Sequence, residues 1–197
     1  MAKETFSIVI LISGQGTNLQ ALINARSSYK IDAVISNNRN AAGLDRAKRS
    51  GIETFVIEHG SFDSRIGFEK CLAAKIKEIN PNLIVLAGFM RVLGSEFIRL
   101  FSGKIINIHP SLLPKYPGLN THKRVLEDRQ SLHGATVHFV TEELDGGAII
   151  AQDSVPVFYD DTVETLAARV LEKEHILYPK VVESLAASEI QTKNEDV

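Results

Sequence analysis

Short apolar runs alternate with amphipathic stretches from the start of the chain. FSIVILI (6–12) is a continuous apolar run of strand length that stops at Ser13-Gly14. TNLQALINA (17–25) places Leu19, Leu22 and Ile23 at helical spacing. IDAVIS (31–36) reads as a strand, LDRAKRSG (44–51) as a helix closed by Gly51, and ETFVIE (53–58) as a strand. FEKCLAAKIKEI (68–79) is an amphipathic helix ended by Asn80-Pro81, and LIVLAG (83–88) and KIINI (104–108) are buried strands. Strands without a polar face, separated by helices, predict βαβ units and a parallel sheet with helices on both faces. Past residue 133 the rhythm changes. ATVHFV (135–140) and AIIAQDSVPV (148–157) flank the turn-rich TEELDGG and predict an antiparallel hairpin added to the sheet. A long helix is expected over 162–185, then a polar tail, SEIQTKNEDV, that frays from about residue 187. No repeat, low-complexity block or linker interrupts the chain. The fold class is therefore α/β: one domain over 1–197, with a mixed sheet whose N-terminal half is parallel and Rossmann-like.

Ligands of open α/β sheets sit beyond the carboxyl ends of the strands. Three segments converge there: the turn Gly14 to Asn18, the loop Phe89 to Leu93, and the loop that starts at His109. Asn107 and His109 lie two residues apart at the end of a strand, so their side chains share a face and point together into the cleft. The segment that follows carries Pro110, Pro114 and Pro117 and has little periodicity outside KRVLEDR, which predicts a long, shaped, functional loop. Of the other histidines, His59 and His175 read as structural or surface residues, and His138 as a neighbour behind the site.

The first turn, SGQGTNLQ (13–20), is neither a dinucleotide fingerprint, since Leu19 stands at the third glycine position, nor a P-loop, since GK[ST] is absent. It delivers Thr17 and Asn18 to a helix N-terminus, where backbone N–H groups and the helix dipole favour an anion such as one terminal phosphate; a simple N-cap role for Thr17 is the alternative. Among the acids, Asp145 precedes Gly146-Gly147, where the chain can turn tightly towards a cleft. Asp161 and Glu164 have capping-box spacing. Glu174 falls on the apolar stripe of the last helix, after Val163, Leu166, Ala167, Val170 and Leu171. A carboxylate there needs a partner: a structural Lys or Arg, or a cationic group on a ligand.

Composition narrows the classes. The 197 residues are 44% hydrophobic and 23% charged, with a formal net charge of −2. That balance argues against nucleic-acid and membrane partners, and no apolar run reaches the roughly 18 residues a membrane span needs. Cys71 is the only cysteine, so no internal disulfide forms, and a reducing, cytoplasmic setting is expected. No zinc-ligand spacing appears, so no metal is expected.

ISGQGTNLQ (12–20), LAGFMRVL (86–93), INIHPSLLPKYPG (106–118), HGATVHFVTEELDGG (133–147) and EHILYP (174–179) together resemble the phosphoribosylglycinamide formyltransferases, also called glycinamide ribonucleotide transformylases. These are folate-dependent enzymes of purine synthesis. The resemblance runs from about residue 6 to 185. The His-x-Ser-Leu-Leu-Pro block and the downstream Asp are shared with methionyl-tRNA formyltransferase and the formyltetrahydrofolate deformylases; SGQGTN separates them, as does the expected absence of those enzymes' extra domains. The resemblance implies a catalytic triad of Asn107, His109 and Asp145. It implies Gly16, Thr17 and Asn18 as the substrate-phosphate turn, and Glu174 as a contact to the glycinamide portion. Arg65, Met90, Arg91, Val92, Leu93 and Asn107 would meet the formyl donor, 10-formyltetrahydrofolate. The partners implied are these two small molecules, with the chain a monomer or homodimer. Asn120 stands where some relatives carry His and receives no catalytic role. A non-catalytic nucleotide-binding domain is the rival from another class, and it has no need of all three triad residues.

Overall fold

The computed structural model describes the backbone of residues 5–195 and the side chains of residues 5–188. The strands are β1 (Phe6–Ile12), β2 (Tyr29–Ser36), β3 (Glu53–Val56), β4 (Leu83–Leu86), β5 (Ile105–His109), β6 (Leu132–Phe139) and β7 (Ile149–Pro156). The helices are α1 (Thr17–Ala25), α2 (Gly43–Arg49), α3 (Arg65–Ile79), α4 (Ser95–Leu100), α5 (Thr121–Glu127) and α6 (Val163–Glu195), with a 3-10 turn at His59–Ser61. All seven strands form one sheet in the order β3-β2-β1-β4-β5-β6-β7. β3 to β5 pair in parallel, and β6 and β7 add in antiparallel fashion. The mixed sheet and its hairpin match the sequence reading.

Each face carries its own core. Ile8, Ile10, Ile12, Ile106, Ile108, Ala135 and Val137 pack with α1, α2, α5 and α6. Val9, Leu11, Ile35, Ile84, Leu86 and Ile105 pack under α3 and α4. Residues 8–12 of β1 and all of β4 therefore need apolar side chains, which is why they read as continuous runs.

Several boundaries differ from expectation. α3 begins at Arg65 rather than 68, because the Ser64 hydroxyl caps it by accepting from the Gly67 N–H at 3.1 Å. α4 and α5 were not expected as helices; each is short and shows too few turns for periodicity to register. The capping box of α6 lies one residue on from the Asp161/Glu164 pair. Thr162 Oγ1 accepts from the Thr165 N–H at 3.3 Å and Thr165 Oγ1 from the Thr162 N–H at 2.9 Å. Asp161 instead grips both Nη atoms of Arg169, at 2.7 and 2.8 Å, and this holds its carboxyl well below the usual carboxylate range. α6 also continues past the expected end at 185, through Glu195; no glycine or proline follows Pro179 to stop it. Of the tail expected to fray, Asp196 and Val197 lie outside the described residues. Val163, expected on the buried stripe, is 38% exposed, and the stripe starts at Leu166.

Candidate active site

The switch in strand order lies between β1 and β4, and the loops leaving their carboxyl ends are stitched together. The Ser13 N–H donates to the Gly88 carbonyl at 3.2 Å. The Ser13 hydroxyl accepts from the Met90 N–H at 2.8 Å and donates to Asn37 Oδ1 at 2.6 Å. Ser13 thus fixes the turn after β1 against the loop after β4, a role that a lone serine beside a glycine does not signal in sequence.

Asn107 and His109 do share a face, and the antiparallel register extends it. Asn107 stands opposite His138, and His109 opposite Thr136. Among the described residues, the segment after β5 and the β6–β7 turn, rather than a helix, meet this part of the sheet. Thr136 Oγ1 donates to the Ser111 carbonyl at 2.6 Å and accepts from the Leu113 N–H at 3.0 Å and from Gln152 Nε2 at 2.8 Å. One buried hydroxyl thereby pins the proline-rich loop to the sheet.

His109 is buried, with Asp145 Oδ2 at 3.5 Å from its Nδ1. Its Nε2 donates to the Tyr116 carbonyl at 2.9 Å. Each ring nitrogen therefore faces an oxygen acceptor. Tyr116 holds that carbonyl in place from a left-handed backbone (φ 59°), with its hydroxyl donating to Asp128 at 2.8 Å. Asp145 also sits in the left-handed region (φ 52°), and its Oδ2 accepts from the Gly118 N–H at 2.8 Å. Gly147 is required at this point: a Cβ there would lie 1.8 Å from the Phe139 carbonyl oxygen.

His138 belongs in the cluster more closely than its sequence context suggests. Its Nδ1 donates to the Phe139 carbonyl at 2.9 Å, so Nε2 is left to accept from Asn107 Nδ2 at 3.4 Å. Asp145 Oδ1 lies 3.7 Å from the same Nε2. Burial pushes the imidazole below its ordinary pKa and outweighs the pull of Asp145, which keeps His138 an acceptor for Asn107. The second amide hydrogen of Asn107 is free of His138.

The other predicted groups fall at two flanks. Glu174 is buried on α6 and meets no Lys or Arg among the described residues; its Oε2 accepts from Asn18 Nδ2 at 2.7 Å. Burial pushes its carboxyl above the usual range, and the Asn18 amide pulls it part of the way back. Asn18 Oδ1 is buried and makes no hydrogen bond. Gly16, not Thr17, is the N-cap of α1, in the left-handed region at φ 69°. A Cβ there would lie 2.6 Å from Gly43 Cα, so Gly16 lets α1 and α2 start against one another. On the other flank, Met90, Arg91 and Val92 are exposed, while Leu93 is turned into the core beneath α4, so any contact from Leu93 must come from its backbone. Arg65 stands beside this loop: its Nε is 3.6 Å from buried Glu69, whose Oε1 accepts from the Gly94 N–H at 2.8 Å. Asn120 is the N-cap of α5 at φ 58°. His175, expected to be structural or surface, lines a cleft beside α1, and its Nε2 is buried with no partner among the described residues.

The formyl transferase family matches residues 6–182. The chain is 49% identical over 180 residues to phosphoribosylglycinamide formyltransferase of Escherichia coli (strain K12), a match that covers 89% of this chain and 85% of that one. The trifunctional purine biosynthetic protein adenosine-3 of Homo sapiens is 44% identical over 193 residues, 96% of this chain but 19% of that longer protein. The solved structure of phosphoribosylglycinamide formyltransferase from Coxiella burnetii superposes with a TM-score of 0.90 at 51% identity, covering 94% of this chain and 89% of that one. With a family match over nearly the whole sheet and identities of this size over most of both chains, this chain belongs to the formyl transferase family.

Proposed function

We propose that this chain is a single formyltransferase domain that moves the formyl group of 10-formyltetrahydrofolate to the amine of 5-phosphoribosylglycinamide, in purine biosynthesis. The observation that carries the reading is the meeting of Asn107, His109 and Asp145 at the carboxyl end of β5, with His109 Nδ1 3.5 Å from Asp145, in a chain that spans 85% of the E. coli enzyme. No helix among the described residues is long and apolar enough to cross a membrane, and two water-soluble substrates suit a cytoplasmic setting.

The substrate amine attacks the formyl carbon on N10 of the folate, and the carbonyl oxygen takes up negative charge. Asn107 offers the amide hydrogen that His138 leaves free. His109 offers the Nε2–H that now points at the Tyr116 carbonyl, and the formyl oxygen takes that carbonyl's place as acceptor. Donors aimed at a developing oxyanion contribute on the order of 3 kcal/mol each to lowering the barrier. Asp145 holds the imidazole by its Nδ1 side. Collapse breaks the bond from carbon to N10, and the proton lost by the attacking amine passes to N10, through His109 or a water beside Asp145. The products are the N-formyl acceptor and tetrahydrofolate. Thr17, Asn18 and Glu174 bind the phosphorylated acceptor, and Arg65 with the loop Met90 to Leu93 binds the folate.

A formyl-transfer assay tests this. Purified protein with both substrates is expected to give tetrahydrofolate and formylated acceptor in equal amounts, with no formate released when the acceptor is left out. Formate release that ignores the acceptor would make the chain a deformylase instead.

A further inference from the structure

A cleft of about 470 Å³ runs along the outer side of α1, from Thr17 in its first turn to Ala25 at its end. Arg46 of α2 and His175 of α6 stand in its walls. The first turn of α1 has no side-chain cap, so its leading N–H groups are left to a ligand or to water. Arg46 is half-buried and held towards that turn by two contacts. Its Nε donates to the Gln15 carbonyl at 2.9 Å and its Nη1 to Gln20 Oε1 at 3.4 Å. Neither partner carries a charge, so the guanidinium is positioned without being neutralised, and its Nη2 edge remains available. His175 Nε2 is buried without a partner. It follows Glu174 directly, the residue that holds Asn18 at 2.7 Å.

We infer that Arg46 is a substrate-binding residue that supplies the cationic contact to the phosphate monoester of the acceptor, with His175 as a second polar contact in the same cleft. This rests on the acceptor-binding reading of Thr17 and Asn18 and assigns the counter-charge that reading lacks. A helix N-terminus contributes partial charge, whereas a guanidinium contributes a full charge and a planar fork matched to phosphate oxygens. The unsatisfied buried Oδ1 of Asn18 is an acceptor and cannot serve the phosphate. The cleft therefore reads the phosphate through Thr17 and Arg46, with His175 in its wall.

The test compares 5-phosphoribosylglycinamide with its dephosphorylated riboside as acceptors, at saturating 10-formyltetrahydrofolate, for the unaltered protein, Arg46→Gln and Arg46→Lys. The unaltered protein is expected to prefer the phosphorylated acceptor by roughly 100-fold or more in kcat/KM. Arg46→Gln is expected to cut that preference about 10- to 100-fold, chiefly through KM, and Arg46→Lys to restore part of it. His175→Gln should lower the same ratio by a smaller factor. Equal losses on both acceptors would make Arg46 a mere tether for Gln15 and Gln20 and overturn the inference. An unaltered protein that formylates both acceptors equally well would also overturn it while leaving formyl transfer intact. Transfer to neither acceptor would defeat the proposed function itself, and this inference with it.

Discussion

In the parallel half of the sheet, β1 buries Ile8, Ile10 and Ile12 on one face and Val9 and Leu11 on the other, each beneath helices. In the antiparallel half, β5 and β6 keep one apolar face, with Ile106, Ile108, Ala135 and Val137. Beyond Ile105, their other face carries Asn107, His109, Thr136 and His138. The difference lies in what covers each face. A helix spends its backbone N–H and C=O groups on itself and offers a sheet only side chains. A loop has unspent backbone groups. The Tyr116 carbonyl, the Gly118 and Leu113 N–H groups and the Ser111 carbonyl meet His109, Asp145 and Thr136. On this face the buried polar side chains find their partners in the backbone of the loop that covers them.

If the loop-covered face performs the chemistry and the helix-covered half only builds and binds, the largest effects of substitution on turnover belong to the first. His109→Ala and Asp145→Asn are each expected to lower kcat by on the order of 10³-fold or more, with both KM values within a few-fold, by steady-state kinetics. A fall confined to KM would move either residue out of the reacting centre.

Gly16→Val probes the other half. The left-handed backbone and the 2.6 Å approach to Gly43 Cα leave no room for a side chain, so a stability loss of about 2–4 kcal/mol is expected in urea denaturation. A variant as stable as the parent, altered only in KM for the acceptor, would instead give this glycine the role of clearing space for the ligand.

Thr136→Val tests the pin between loop and sheet. It leaves the buried Leu113 N–H without its acceptor, at a cost of about 1–3 kcal/mol. Turnover should fall as well, because the same loop carries the Tyr116 carbonyl against His109. An unchanged denaturation midpoint would show that the loop is held by other contacts.

The smallest effect is a pH dependence at His133, on the apolar-face side of β6. Burial, with His122 and His109 nearby, lowers its pKa from 6.5 to about 4. Its Nε2 lies 2.9 Å from His122 Nδ1. The unfolded chain takes up this proton near pH 6.5 and the folded chain only near pH 4. Stability is therefore full above about pH 6.5 and falls as the pH drops towards 4, by on the order of 1–2 kcal/mol after allowance for solvent screening. His133→Gln should flatten this part of the stability profile. An unaltered slope would place the titration on another group.

The sequence carried the parallel half almost whole, because strands buried on both faces appear as unbroken apolar runs. It also placed Asn107 and His109 together, since a period of two is a property of the strand alone. Asp145 was legible from Gly146-Gly147. What escaped depends on pairing across strands or on backbone partners. His138 joins Asn107 only through the register of β5 on β6. Tyr116 acts through its carbonyl, which any residue possesses. Arg46 looks like an ordinary charge on a short surface helix until α1 and α6 are set beside it.

The central claim is that Asn107 and His109 serve one oxygen from one face of one strand. A double-mutant cycle on kcat at saturating substrates tests it most directly, with Asn107→Ala, His109→Ala and the pair. Asn107→Ala is expected to cost about 10²-fold or more and His109→Ala, as above, on the order of 10³-fold or more. The double variant should lie within about 10-fold of the weaker single variant, because residues that act as a unit are not additive. Losses that multiply in full would contradict the claim and assign the two side chains to separate events.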